Sequence, residues 1–119
     1  ANLNRLQEGI RVVEDINRYL YNNQTLAIEL KTLRHLSKVP YREKLLQTRN
    51  THTDVLKKTI PQELKRENID DLLISNYKRT QESSRVLEEC YKLISVDQSE
   101  IFKNIRYTLY ELDKKQFLN

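Results

Sequence analysis

Glycine occurs once in this 119-residue chain, proline twice and cysteine once. So little turn-forming material cannot supply the many tight reversals of a β-sandwich, and long helices are expected instead. Cys90 stands alone, so no internal disulfide can form and a reducing compartment is expected. No apolar run approaches the roughly 18 residues of a membrane span. The first residues show no basic-then-apolar secretory segment. A cytoplasmic protein with no membrane partner is the expectation. Also missing are the GxSxG elbow, the GxGxxG and GxxxxGK[ST] glycine loops, and any Cys/His spacing of a zinc site. Hydrolase elbows, Rossmann domains and Walker loops are thereby excluded.

What remains is charged. Apolar residues make up 38% of the chain, mean hydropathy is -0.76, and the net charge is +4 with an isoelectric point near 9.2. The length suits one domain, residues 1–119, with its own core, provided the apolar residues are well placed. A Lys/Glu/Leu/Ile-rich composition of this kind favours an all-α bundle. A mildly basic balance suits a phosphorylated ligand and would also allow weak, salt-sensitive nucleic-acid contact. Because the basic residues alternate with acids instead of clustering, nucleic acid is the less favoured partner.

The chain also repeats itself. The segment from Asn2 to Asp15 returns from Asn76 to Glu89, offset by 74 residues, with Asn, Arg, Gln, Glu, Arg, Val and Glu kept in register. Most of what is kept is polar. Lys31-Thr32-Leu33-Arg34 is echoed by Lys103-Asn104-Ile105-Arg106, offset by 72 residues. The repeated unit is therefore a helical hairpin, spanning 2–38 and 76–115. Two duplicated hairpins joined by short helices and a loop make the expected bundle, with pseudo-two-fold character.

Apolar periodicity places the elements. Leu6, Ile10, Val13, Ile16 and Leu20 predict one helix over about 2–21. It starts so near Ala1 that a few residues upstream are expected. Asn22-Asn23 makes a turn. Leu26, Leu30, Leu33 and Leu36 predict a second helix that ends before Pro40. A shorter helix is expected from Tyr41 to about Asn50 and another over about 52–59, opened by Thr51-x-x-Asp54. The polar 61–67 stretch is the candidate mobile loop. Asn68, with Asp70 and Asp71, should open a helix running to about Ile94. Asp97-x-x-Glu100 should open a last helix with Ile101, Ile105, Leu109 and Leu112 inward. Cys90, Tyr91, Tyr107 and Tyr110 are expected in the core, the tyrosine hydroxyls at its rim; stacking of Tyr107 or Tyr110 on a heteroaromatic ligand is the lesser alternative.

At roughly 100° per residue, Asn4, Glu8, Arg11 and Asp15 share one narrow stripe, and Lys78, Glu82, Arg85 and Glu89 share its counterpart. Val12 and Tyr19, echoed by Val86 and Leu93, flank the stripes, so a partly buried face on a cleft is expected. Arg5, Arg11, Arg79 and Arg85 offer planar forks of donors that match phosphate oxygens. The acids among them, Glu14 and Glu88 included, would hold those forks or bind Mg²⁺, which takes carboxylate and phosphate oxygens. The competing account is plain: Glu/Arg pairs one turn apart are common surface salt bridges. Gly9, mid-helix and echoed by the small Ser83, fits a tight helix crossing at least as well as ligand contact.

Taken in order, the stretches Asn2–Asp15, Leu30–His35, Arg49–Val55, Asn76–Glu89 and Arg106–Leu112 resemble the small helical hydroxymethylpyrimidine phosphate kinase of thiamine biosynthesis, a domain often fused to thiamine phosphate synthase. Near Asp54 the chain departs from that pattern, with His52-Thr53 and Leu56 where the family has glycines. The resemblance implies ATP-dependent phosphorylation of 4-amino-2-methyl-5-hydroxymethylpyrimidine phosphate, with ATP and Mg²⁺ as cofactors.

Phosphoryl transfer of this kind is mainly positioning and charge neutralisation. On that chemistry Arg11, Arg85 and Lys78 are the expected catalytic residues. Asn2, Asn4, Arg5, Arg49, Asn76 and Arg79 are expected to hold the substrate and phosphates. Glu8, Asp15, Glu82 and Glu89 are expected to bind the metal or orient the arginines. The alternative is a non-catalytic ligand-sensing or docking domain associated with a thiamine-pathway synthase. A homo-oligomer is open on either account.

Overall fold

The computed structural model describes residues 1–39 and 66–118, which form four α-helices: α1 (Asn2–Asp15), α2 (Gln24–Leu36), α3 (Arg66–Tyr91) and α4 (Val96–Phe117). No strand occurs among the described residues, in keeping with the glycine- and proline-poor sequence. α1 packs against both α2 and α3, and α3 against α4. The two motif-bearing helices are thus the central pair, each with its own hairpin partner outside it. The short helices expected over 41–50 and 52–59 lie outside the described residues, as does most of the 61–67 loop.

Each helix end has a local cause. α1 does not run on to residue 21 as one α-helix. It gives way to a π-helical turn, Ile16–Leu20, closed by the Tyr21 amide donating to the Ile16 carbonyl at 3.0 Å. The wider winding breaks the 3.6-residue register. Leu20, expected inside, is therefore exposed, and Asn17 is buried. Asn22 takes a left-handed φ of 52°, which Asn tolerates better than most residues. Asn23 then caps α2 by accepting from the Leu26 amide at 3.1 Å. α3 begins two residues before the expected Asn68 and ends at Tyr91. α4 is capped by Ser95, not Asp97; the Ser95 hydroxyl accepts from the Gln98 amide at 3.2 Å, and Asp97 sits in the first turn, where its charge complements the helix dipole.

The core takes Leu3, Leu6, Ile10, Val13 and Ile16 from the first helix, Leu26, Leu30 and Leu33 from α2, Leu73, Tyr77 and Leu87 from α3, and Phe102, Ile105, Leu109 and Leu112 from α4. Each such side chain contributes about 1.5–3 kcal/mol by leaving water. Leu36 and Ile101 were expected inward and are exposed; Phe102 takes the place of Ile101. Tyr107 and Tyr110 lie off the arc of Phe102, Ile105, Leu109 and Leu112, so they are exposed rather than core. Cys90 is exposed too.

Two features bind the hairpins together. Gly9 abuts α3, where a side chain would have no room. Thr80 and Asn76 of α3 stand against Gly9, and α3 also buries the small Ser83 and Ser84; the hydroxyls of Thr80, Ser83 and Ser84 each donate to a carbonyl of their own helix at 2.7–2.9 Å. Their burial therefore leaves no unmet polar group. Farther along, Asn17 and Gln116 exchange paired amide bonds of 2.7 and 2.9 Å, and the Tyr77 hydroxyl donates to the same Gln116 oxygen at 2.9 Å. Burial pushes the Tyr77 phenol well above its ordinary range, so it stays a neutral donor.

Candidate functional site

The repeat's glutamates do two different jobs. Glu14, 1% exposed, accepts from Arg34 at 2.8 and 3.4 Å and from Arg18 at 2.7 Å. Its counterpart Glu88, also buried, accepts from Arg106 at 3.1 and 2.9 Å through one oxygen. Each hairpin is thus clamped by the same ion pair, a motif glutamate on the first helix and the echoed arginine on the second. That arrangement joins the two echoes, taking Glu14 and Glu88 from one and Arg34 and Arg106 from the other. These four residues were not singled out as a scaffold, although a signal existed: Glu14 lies only about 40° from Ile10 on a helical wheel, within the apolar arc. Burial pushes the Glu14 carboxyl up, but the hydrogen bonds and charges of Arg34 and Arg18 outweigh that and hold it below the usual carboxylate range.

The exposed charges divide along each helix. Ala1, Asn4, Arg5 and Glu8 of the first copy and Ser75, Lys78, Arg79 and Glu82 of the second line one cleft of about 620 Å³ between α1 and α3. Every residue in that lining has its repeat partner in it as well: 1 with 75, 4 with 78, 5 with 79, 8 with 82. The cleft therefore lies on the pseudo-two-fold relation between the copies. Arg5, Lys78, Arg79, Glu8 and Glu82 form no ion pair with another described residue. Three cations against two carboxylates leave the cleft positive and its donors free.

The later halves of the stripes behave differently. Arg11 pairs with Asp15 at 3.5 Å and Arg85 with Glu89 at 3.9 Å, all well exposed, and Lys92 joins Glu89 at 2.8 Å. The hydrogen bond from Lys92 holds the Glu89 carboxyl below its ordinary value. Arg85 also lines a second cavity of about 330 Å³ with Lys78, Gln81, Glu82 and Tyr110. The expected apolar edging is not built: Tyr19, Val86 and Leu93 are exposed, and only Val12 is half-buried.

Asn2 is half-buried at the start of α1. Asn76 is buried beside Gly9 and donates to the Leu72 carbonyl at 2.8 Å. Arg49, His52 and Asp54 lie outside the described residues. Among the described residues no group of three or more His, Cys, Asp or Glu side chains could hold a metal ion by itself. No helix among them is long and apolar enough to cross a membrane.

The sequence profile of the ThiD2 family matches residues 1–115. Relatives named thiamine-phosphate synthase are similar to the chain: one from Nostoc punctiforme is 38% identical over 95% of this chain and 32% of its own length. Another, from Thermosynechococcus vestitus, is 37% identical over 100% of this chain and 34% of its own length. A third, from Synechocystis sp., is 39% identical over 95% and 33%. The chain spans about a third of the length of these relatives. No solved structure matches it. The relatives carry the name of a synthase, which corrects the expected reaction: the thiamine-pathway assignment stands, and the ATP-dependent pyrimidine phosphate kinase does not. Matched along nearly its whole length, the chain belongs to the ThiD2 family.

Proposed function

We propose that this domain is a helical ligand-binding module of a thiamine-phosphate synthase-type protein. It holds a small phosphorylated pyrimidine in the α1–α3 cleft, and it works fused to or docked on the synthase portion, in the cytoplasm. One observation carries the proposal. Three cationic side chains, Arg5, Lys78 and Arg79, converge from both motif copies without an ion-pair partner among the described residues, whereas Arg11 and Arg85 one or two turns farther on are paired. Unpaired guanidinium forks are suited to phosphate oxygens, which accept two bonds at once. The name of the relatives, thiamine-phosphate synthase, also puts a phosphate on the product of their reaction.

Glu8 and Glu82 supply two carboxylates to the same cleft. That is the number Mg²⁺ commonly takes from protein when phosphate and water complete its shell. Mg²⁺ would then be recruited with the phosphate rather than before it. ATP is a second phosphate ligand to be titrated alongside.

Calorimetric titration with 4-amino-2-methyl-5-hydroxymethylpyrimidine phosphate tests this. Arg79→Ala and Arg5→Ala should each weaken binding about tenfold or more, the size of a charge-assisted hydrogen bond. Arg11→Ala should change it by less than about twofold, since its guanidinium already serves Asp15 and lies outside the cleft. No saturable binding, or equal losses in Arg11→Ala and Arg79→Ala, would remove the cleft from consideration.

A further inference from the structure

A cleft lined by equivalent residues from two repeats offers an asymmetric ligand two nearly equal orientations. The structure departs from that symmetry on one side only. Lys78 stands where the first copy has Asn4. α4 also continues to Phe117, whereas α2 stops at Leu36. At the 72-residue offset the counterpart of Tyr110 is Lys38, already beyond the end of α2. The second hairpin therefore presents an aromatic residue for which the first has no equivalent.

Tyr110 is 39% exposed and lines the smaller cavity, which shares Lys78 and Glu82 with the cleft. The ring is held from beneath. Arg106 is buried and fixed by Glu88; its Cζ lies 5.8 Å from the Tyr110 ring centroid and 4.8 Å from that of Tyr107. Its Nη1 is 3.5 Å from the Tyr110 hydroxyl oxygen, at the outer limit of a hydrogen bond. Along α3, Arg79 of the cleft and Arg85 of the cavity are six residues apart, about 9 Å along the axis and about 120° around it, and Lys78 and Glu82, which line both spaces, connect them.

We infer that the smaller cavity is a ring subsite: a planar aromatic ring lies against Tyr110, edged by Arg85, while its phosphate crosses Lys78 to reach Arg5 and Arg79. This rests on the cleft as the phosphate site and adds the residue that recognises the ring and fixes its direction. Tyr110 is the contact residue; Arg106, held by Glu88, is a positioning residue acting through it.

Phenyl phosphate and methyl phosphate, which differ by the ring, are the probes. The wild-type chain should bind phenyl phosphate about tenfold more tightly, the size of a stacking contact. Tyr110→Ala should bring the two within about twofold of each other and leave methyl phosphate binding unchanged; Tyr110→Phe should keep the preference. Tyr110→Leu, which retains apolar bulk, should behave as Tyr110→Ala and covers the case in which the alanine variant folds poorly. A ring preference that survives Tyr110→Ala or Tyr110→Leu, or none in the wild type, overturns the subsite and leaves the phosphate cleft intact. Failure of both probes to bind the wild type overturns the cleft itself, and the subsite with it.

Discussion

Glu14→Ala should destabilise the fold by about 3–5 kcal/mol, the usual consequence of removing one partner of a buried ion pair. The carboxylate is 1% exposed and is the shared acceptor of Arg34 and Arg18. Without it, the guanidinium of Arg34, whose side chain is only 17% exposed, is left without its charge partner. Urea denaturation should show a much lower midpoint with little change in slope, because the surface exposed on unfolding is the same. Glu14→Leu combined with Arg34→Met should recover most of the loss, since apolar replacement of both partners removes the stranded charge. Asp15→Ala is the control. Its ion pair with Arg11 is exposed, and the cost should stay below about 0.5 kcal/mol. If Glu14→Ala and Asp15→Ala cost the same, the clamp account of the repeat is wrong.

Acid should reproduce part of this effect. The folded-state pKa of Glu14 is lowered from an ordinary value of 4.5. Its contribution is therefore fully present above that value and is lost as pH falls through the lower folded value. The stability gap between the wild type and Glu14→Gln should be constant between about pH 7 and pH 5 and should narrow below about pH 4. A gap that widens in acid would mean that the carboxyl is held above its ordinary value, not below it.

Most of the architecture was legible because its signals are periodic. Leu6, Ile10 and Val13, and then Leu26, Leu30 and Leu33, mark one face of each helix, and all six are buried. Periodicity failed where the winding changed. Leu20 continues the 4-3-3-4 spacing perfectly well, yet the π turn carries it outward, and nothing in the residues Ile16–Leu20 announces that turn. The ion pairs were harder to read for another reason. Glu8 and Glu14 have the same chemistry in the same repeat, and only their angle to Ile10 separates a cleft residue from a buried clamp. The stripe, drawn by angle, left Glu14 and Glu88 out, but the acids were then pooled by chemistry as possible partners of the arginines or Mg²⁺, which grouped acids that the fold separates. The stripe also ran along the whole helix, whereas the lining of the cleft stops at Glu8 and Glu82. Where two stripes converge depends on how the helices are set against each other, which is a property of α1 and α3 together.

Gly9 is the residue that sets that approach, and replacing it should have the second-largest effect. A Cβ at this position would lie 2.5 Å from Thr80 Cγ2, and within 3.6 and 3.8 Å of the Asn76 carbonyl and amide oxygens. Thr80 cannot easily turn away. Its branched side chain is stiff, and its hydroxyl donates to the Tyr77 carbonyl at 2.8 Å. Alanine in a helix interior would ordinarily stabilise by about 1 kcal/mol relative to glycine. Here overpacking of about 1–3 kcal/mol should dominate, so Gly9→Ala should unfold at lower urea and Gly9→Leu lower still. Thr80→Ser removes Cγ2 and keeps the hydroxyl. Gly9→Ala combined with Thr80→Ser should therefore return to wild-type stability or exceed it, a coupling that two independent sites would not show. Phosphate binding should follow the same pattern, falling in Gly9→Ala as Arg5 and Arg79 are pushed apart and returning in the double variant. If Gly9→Ala alone is more stable than the wild type, helix propensity outweighs the contact with Thr80, and close approach is not the reason for the chain's single glycine.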